Sequence, residues 1–245
     1  MTNDNFLKAL ESSFEKFLEV GINGKNPSRS TAKLKPLHGF VANDLHVRMG
    51  AEYEIVSQGY DEDREIEISG RYINKKVDIT IVNNERPVCG VAVKFVMQNY
   101  AQNSNNYFEN MLGETANIRS NQIPYFQIFV ITKSRPYFKK DKSFNGWEEL
   151  SIDQLHKYCV LDKDDPDRYQ HTPNKMLVYV LDLPKFEFSD CSEYYTKYSE
   201  YLSECRRGGR PVFTPVNMEC DFSNSIIFND YETFAQKVFH TIKAL

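Results

Sequence analysis

The sequence predicts an α/β fold: a central mixed sheet flanked by helices, with peripheral additions. Three observations carry that expectation. The middle of the chain reads in the order strand, strand, strand, helix, strand. The helix in that series joins two strands through a connection long enough for a parallel crossover. The run YFQIFVIT, residues 125–132, is apolar nearly throughout, as a strand covered on both faces must be.

The elements follow in order. Phe6, Leu7, Leu10, Phe14, Phe17 and Leu18 recur at helical spacing, and Gly21 is a natural stop. Residues 22–40 then carry Lys25, Arg29, Lys33 and Lys35 with no acid among them. This stretch reads either as a solvated linker or as a basic arm that meets phosphates. Pro36 can open a second helix to about Met49, with Gly50 leading out. Strands occupy EIEISGRY (65–72) through GVAVKFVM (90–97), and a helix is expected over 105–119. Beyond Thr132 the pattern loosens. A basic loop (133–143), a short helix (146–158) and a polar turn region (162–174) come first. A strand (175–183), a helix (192–205), the basic turn RRGGRP (206–211) and an amphipathic helix (229–245) complete the chain. The simplest organisation is one domain, 1–245, with a core at about 50–132, a helical arm at 1–49 and C-terminal additions at 133–245.

Composition narrows the function classes. A 245-residue chain that is 41% hydrophobic, with 17 Phe and 15 Tyr, can bury a sizeable core. Its formal charge of −4 argues against a protein that coats nucleic acid indiscriminately, although a local basic groove stays compatible with it. The five cysteines are widely spaced and lack a CxxC pair, which suits reduced thiols in a cytoplasm. No secretory leader is apparent, and no apolar run approaches the ~20 residues that cross a bilayer. A cytoplasmic protein without a membrane partner is the expectation.

One hairpin stands out chemically. KKVDITIVNNERPVCGVAVKF, Lys75 to Phe95, sets one acid, Asp78, in its first strand and one lysine, Lys94, in its second. With side chains alternating along each strand, Val91, Val93 and Phe95 share one face, while Ala92 and Lys94 share the other. Val77, Ile79 and Ile81 oppose Asp78 and Thr80 in the same way. A turn at Asn83–Pro87 puts Asp78 opposite Ala92 to Lys94. A bare ion pair there is a poor stability device, because both charges lose water. Phosphodiester hydrolysis uses both groups: a carboxylate holds Mg2+ and a lysine supports the attacking water or the developing charge.

The run VDI (77–79), a turn, V-x-K ending at Lys94, a helix and an apolar strand together resemble the PD-(D/E)XK nuclease core of many type II restriction endonucleases. The resemblance covers roughly residues 50–132. It departs from the pattern at two points: Val77 replaces the proline before the aspartate, and Ala92 replaces the acid of the (D/E)xK triplet. It implies a restriction endonuclease-like core, Mg2+ as cofactor and double-stranded DNA as partner. It also implies that the missing acid comes from the following helix. Spacing favours Glu109, whereas a helical wheel at ~100° per residue puts Glu114 at the margin of the inward stripe Tyr107, Met111, Thr115, Ile118 and points Glu109 away. Reach along strand and helix agrees with Glu114, so Asp78 and Glu114 are the expected metal ligands, Lys94 the catalytic lysine and Glu109 the alternate. Glu65 and Glu67 are further acids near a second metal position. Gly113, beside Glu114, suggests a close backbone approach to the sheet or substrate.

For DNA contacts the candidates are Lys33, Lys35, Arg135, Arg206, Arg207 and Arg210, supported by the lysines at 133, 139, 140 and 142. Palindromic recognition would imply a two-fold homodimer. Two other readings stay open at this stage. One is a catalytically inactive nucleic-acid-binding protein on the same fold. The other is an interaction protein in which Asp78 and Lys94 form a plain ion pair.

Overall fold

Thr2 opens the first helix by accepting the Asn5 N–H on its hydroxyl. Helix α1 (Asn3–Ile22) buries Phe6, Leu10, Phe14, Phe17 and Leu18 along one stripe. This structure, a computed structural model, describes residues 2–27 and 30–245, so Arg29 of the basic segment lies outside the described residues. Helix α2 (Lys35–Met49) has proline in its first turn and stops at Gly50, whose φ of 82° suits a residue without Cβ.

Four strands follow: β1 (Glu54–Ser57), β2 (Ile66–Ser69), β3 (Asn74–Val77) and β4 (Ile79–Asn83). The tight turn Asn84–Glu85, both residues at positive φ, leads into β5 (Arg86–Val96). Helix α3 (Ser104–Arg119) then crosses over to β6 (Tyr125–Thr132), which pairs parallel with β5. The second half adds β7 (Ser134–Phe138), β8 (Phe144–Glu149), α4 (Ile152–Lys163), β9 (Lys175–Asp182) and α5 (Cys191–Arg207). The short strands β10 (Thr214–Pro215) and β11 (Ile226–Phe228) and helix α6 (Tyr231–Lys243) end the chain.

The expected α/β architecture is present. Seven strands form a mixed sheet in the order β1-β4-β5-β6-β9, with β10 antiparallel and β11 parallel to β9. Alternation splits the core cleanly. Val91, Val93, Phe95, Phe126, Ile128 and Val130 join one large cluster with α1, α2, α5 and α6. Phe129, Ile131, Val178 and Val180 face the opposite layer, packed by α3 and α4 through Phe108, Leu155 and Tyr158. Each large apolar side chain buried this way contributes roughly 1.5–3 kcal/mol before entropy is counted. The span after residue 133 places β9 in the interior of the sheet, between β6 and the β10/β11 edge.

Three local expectations are corrected. Residues 133–143 are not a free basic loop, because β7 pairs with β8 and Phe138, Phe144, Trp147 and Phe188 pack edge to edge beneath them. The helix expected from 146 starts at Ile152, where Ser151 and Gln154 form a reciprocal capping box. Val77 does not share a face with Ile79: it packs with Ile68, Ile118 and Tyr125, while Ile79 joins the large cluster.

Gly113 has no protein atom within 4 Å of where a Cβ would stand, so no close approach to the sheet explains it. Gly113→Ala is therefore expected to stabilise the protein by about 0.5–1 kcal/mol. A rise in the urea unfolding midpoint checks this.

Candidate active site

The face switch between Val77 and Ile79 falls at Asp78, which lines a cavity beneath α3. Strand β3 pairs with β2 in a small two-stranded sheet, β4 pairs with β1 and β5 in the main sheet, and the chain changes partners at Asp78. Its backbone carbonyl accepts the Ser57 hydroxyl at 2.8 Å, and its Oδ2 accepts the Val93 N–H at 2.7 Å. The carboxylate is thereby fixed toward α3. Burial pushes its pKa up to about 6, and the charges of Glu65 and Glu114 add to the rise. The Val93 N–H and the Lys94 charge oppose it.

Lys94 follows on β5, exposed, with its Nζ 4.6 Å from the centroid of the Tyr107 ring on α3. No ion pair joins it to Asp78 among the described residues. The plain salt-bridge reading of the two residues is therefore not what the fold builds.

Glu114 projects from α3 into the same space. Its Oε2 lies 2.8 Å from Lys75 Nζ, and its Oε1 accepts the Tyr125 hydroxyl. Tyr125 can lie flat on β5 because residue 90 is glycine: a Cβ there would stand 2.8 Å from the ring. Burial and the Glu114 charge push the tyrosine pKa well up, which keeps its hydroxyl a donor.

Asp78, Ala92, Lys94, Tyr107, Glu114 and Gln127 line one cavity of about 320 Å³ between the sheet and α3. Glu109 is exposed and outside that lining, with its charge acting on Lys157 of α4. Glu65 comes beside Asp78 through the β2–β3 register, in which Ile66 pairs with Val77, and burial raises its pKa. Glu67 stands exposed across from Lys76.

The basic candidates divide sharply. Lys33 is partly buried, 5.7 Å above the Phe17 ring, and burial together with the Lys94 charge lowers its pKa to about 8. Lys35 pairs with Asp63. Arg135 is fully buried, donating to the Thr132 carbonyl at 2.8 Å and lying 3.5 Å from Glu148, so it is a core residue and not a DNA contact. Arg206 is held by both oxygens of Glu15. Arg207 and Arg210 are exposed, but neither lines the Asp78 cavity.

Sequence reasoning missed Lys75, Tyr125 and Gln127. Gln127 was signalled by being the polar residue inside the buried run YFQIFVIT; it pairs with Ala92 across the sheet and donates to Thr115 Oγ1 at 3.3 Å. Lys75 and Tyr125 carried no signal, since only tertiary folding brings them to Glu114.

The residues that could hold a hard divalent cation here are Asp78 and Glu114, although both Glu114 oxygens are engaged by Lys75 and Tyr125. Two carboxylates, Asp78 and Glu114, meet at one cavity, and Asp78 is destabilised as an anion there, a penalty that a bound cation would relieve. Among the described residues, no group of three or more His, Cys, Asp or Glu side chains is arranged to hold a metal ion. Mg2+ is commonly bound through one or two carboxylates, with water and substrate oxygens completing its shell. No family model, curated protein or solved structure matches this chain. No helix among the described residues is long and apolar enough to cross a membrane.

Proposed function

We propose that the chain is a Mg2+-dependent endonuclease that hydrolyses phosphodiester bonds in double-stranded DNA, acting as a sequence-specific restriction enzyme of type II. One observation supports it above the others: Asp78 at the β3–β4 junction, Lys94 on β5 and Glu114 on α3 line a single cavity, although among the described residues no ion pair links Asp78 to Lys94. The resemblance of residues 50–132 to the PD-(D/E)XK nucleases gives that convergence its chemical meaning.

Asp78 and Glu114 would hold the metal, which when bound polarises the phosphate and lowers the pKa of water. The Val93 N–H and the Ser57 hydroxyl fix Asp78 before substrate arrives, so no reorganisation is needed there. Lys94, charged and solvent-facing, orients the attacking water and offsets negative charge as it develops on the phosphate. Tyr125 and Lys75 hold the Glu114 side chain toward the cavity.

Purified protein incubated with unmethylated plasmid DNA and Mg2+ is expected to yield discrete fragments on a gel. Lys94→Ala should reduce cleavage about 10²-fold with an unchanged melting temperature. DNA left intact across a range of Mg2+ and Mn2+ concentrations rejects the proposal. The neutralisation of Glu114 by Lys75 favours a second reading, nucleic-acid binding without cleavage. That reading requires salt-sensitive DNA affinity in a protein that never cuts.

A further inference from the structure

A second cavity, about 580 Å³, opens beside the first, and Tyr107 lines both. Lys25 approaches it from the end of α1, and Lys139, Lys140 and Lys142 from the β7–β8 turn, with Asn99 and Ser192 among the remaining lining residues. All four lysines are exposed, and no acid lines this cavity among the described residues. In a chain of net charge −4, four cations around one concavity create a local field opposite in sign to the whole.

The lysine turn is held in place. The Lys139 N–H donates to the Ser143 carbonyl and the Lys142 N–H to the Lys139 carbonyl, each at 3.0 Å. The Lys142 carbonyl accepts the Cys191 N–H at 3.1 Å, which ties the turn to α5. Lys142 adopts φ 70°, a left-handed conformation that a non-glycine residue rarely takes. The one acid in the turn, Asp141, is bent back: its Oδ1 accepts both the N–H and the hydroxyl of Ser143, at 3.0 and 2.6 Å. The backbone therefore presents three ammonium groups, while the exposed Asp141 between them is engaged by Ser143 and feels the Lys139 charge.

We propose that this cavity is a phosphate-binding subsite that receives the DNA backbone flanking the scissile phosphodiester, so that Lys25, Lys139, Lys140 and Lys142 continue the track begun by Lys94. The inference rests on the proposed nuclease reading. It moves the DNA contacts away from Arg135, Arg206 and Lys35, which the fold engages elsewhere. It also gives the track a direction, from Asp78 past Tyr107 toward the β7–β8 turn.

The test compares the wild-type protein with the triple variant Lys139→Gln, Lys140→Gln, Lys142→Gln. Binding of a fluorescein-labelled duplex is measured by anisotropy, with Ca2+ replacing Mg2+, over a range of salt concentrations. These side chains are exposed, so equal melting temperatures should establish that the variant is folded. The expected result is at least about a tenfold fall in duplex affinity at low salt, and the slope of log affinity against log salt should flatten by about 0.9 for each phosphate that the variant no longer neutralises. Unchanged affinity and slope in the variant, with the wild type binding duplex, overturns the subsite while leaving the nuclease reading intact. Wild-type protein that binds no duplex overturns both. Inorganic phosphate or a mononucleotide that occupies the cavity without competing with duplex also overturns the subsite, as it identifies a small-anion pocket.

Discussion

Asp78→Asn is expected to abolish cleavage and, at neutral pH, to raise the melting temperature. Both effects come from one cause. Asp78 is held where its charge is unfavourable, with burial and then the neighbouring carboxylates lifting its pKa to about 6 from an ordinary value of 3.8. Its folded pKa therefore lies above its unfolded one. The penalty for keeping it ionised is fully present above about pH 6 and fades as pH falls toward about 4, where both states become protonated. The asparagine retains an oxygen for the Val93 N–H but carries no charge. Relief of the penalty is on the order of 2–3 kcal/mol at about pH 7.5, which for a chain of this size is a shift of roughly 4–10 °C. On the proposed reading the same substitution removes a metal ligand, and cleavage should fall by about 10³-fold or more. Calorimetry across the acid-to-neutral range checks the first effect: the wild type and variant should converge below about pH 4 and separate above about pH 6. A variant less stable than wild type at neutral pH would sink the account of a carboxylate strained for function.

How much of this was readable beforehand depends on the distance over which each feature is encoded. Helices α1, α3, α5 and α6 and strands β6 and β9 were legible because their apolar patterns are complete within the segment, and α2 because Pro36 and Gly50 mark its ends. That Ala92 and Lys94 share a face was legible from alternation along β5, whereas Asp78 reaches their cavity through a face switch between Val77 and Ile79 that alternation does not predict. Arg135 was not legible: among neighbouring lysines it read as a DNA contact, and its partner Glu148 belongs to a strand hidden by the polar composition of residues 139–146. Arg206 and Glu15 are 191 positions apart, so nothing local marks them as a pair. The lysines at 139, 140 and 142 looked like an ordinary basic loop, and only the anchored turn gives them a common direction. Lys33 shows the opposite case, a residue of an apparently open linker that packs over Phe17. Strands β10 and β11 are too short for any period to register and exist as extensions of the β9 edge.

Glu114→Ala is expected to reduce cleavage by about 10³-fold, and Ala92→Glu in the same chain to recover a substantial part of it. The expectation follows from where position 92 lies. It neighbours Val93, whose N–H binds Asp78, it pairs with Gln127 across the sheet, and it lines the same cavity as Asp78 and Glu114. A carboxylate on a longer side chain at 92 can enter that cavity from the strand and replace the one supplied from α3. Glu109→Ala serves as the control, since Glu109 stands outside the cavity, and its cleavage rate should stay at the wild-type level. Binding of Mn2+ by calorimetry separates an effect on the metal from an effect on the substrate: it should weaken in Glu114→Ala, recover in the double variant and remain unchanged in Glu109→Ala. Full activity in Glu114→Ala would remove α3 as the source of the second acid. A gain of cleavage on Ala92→Glu, with Glu114→Ala alone having no effect, would instead favour a site whose second acid has disappeared, with Glu114 serving only as the partner of Lys75 and Tyr125.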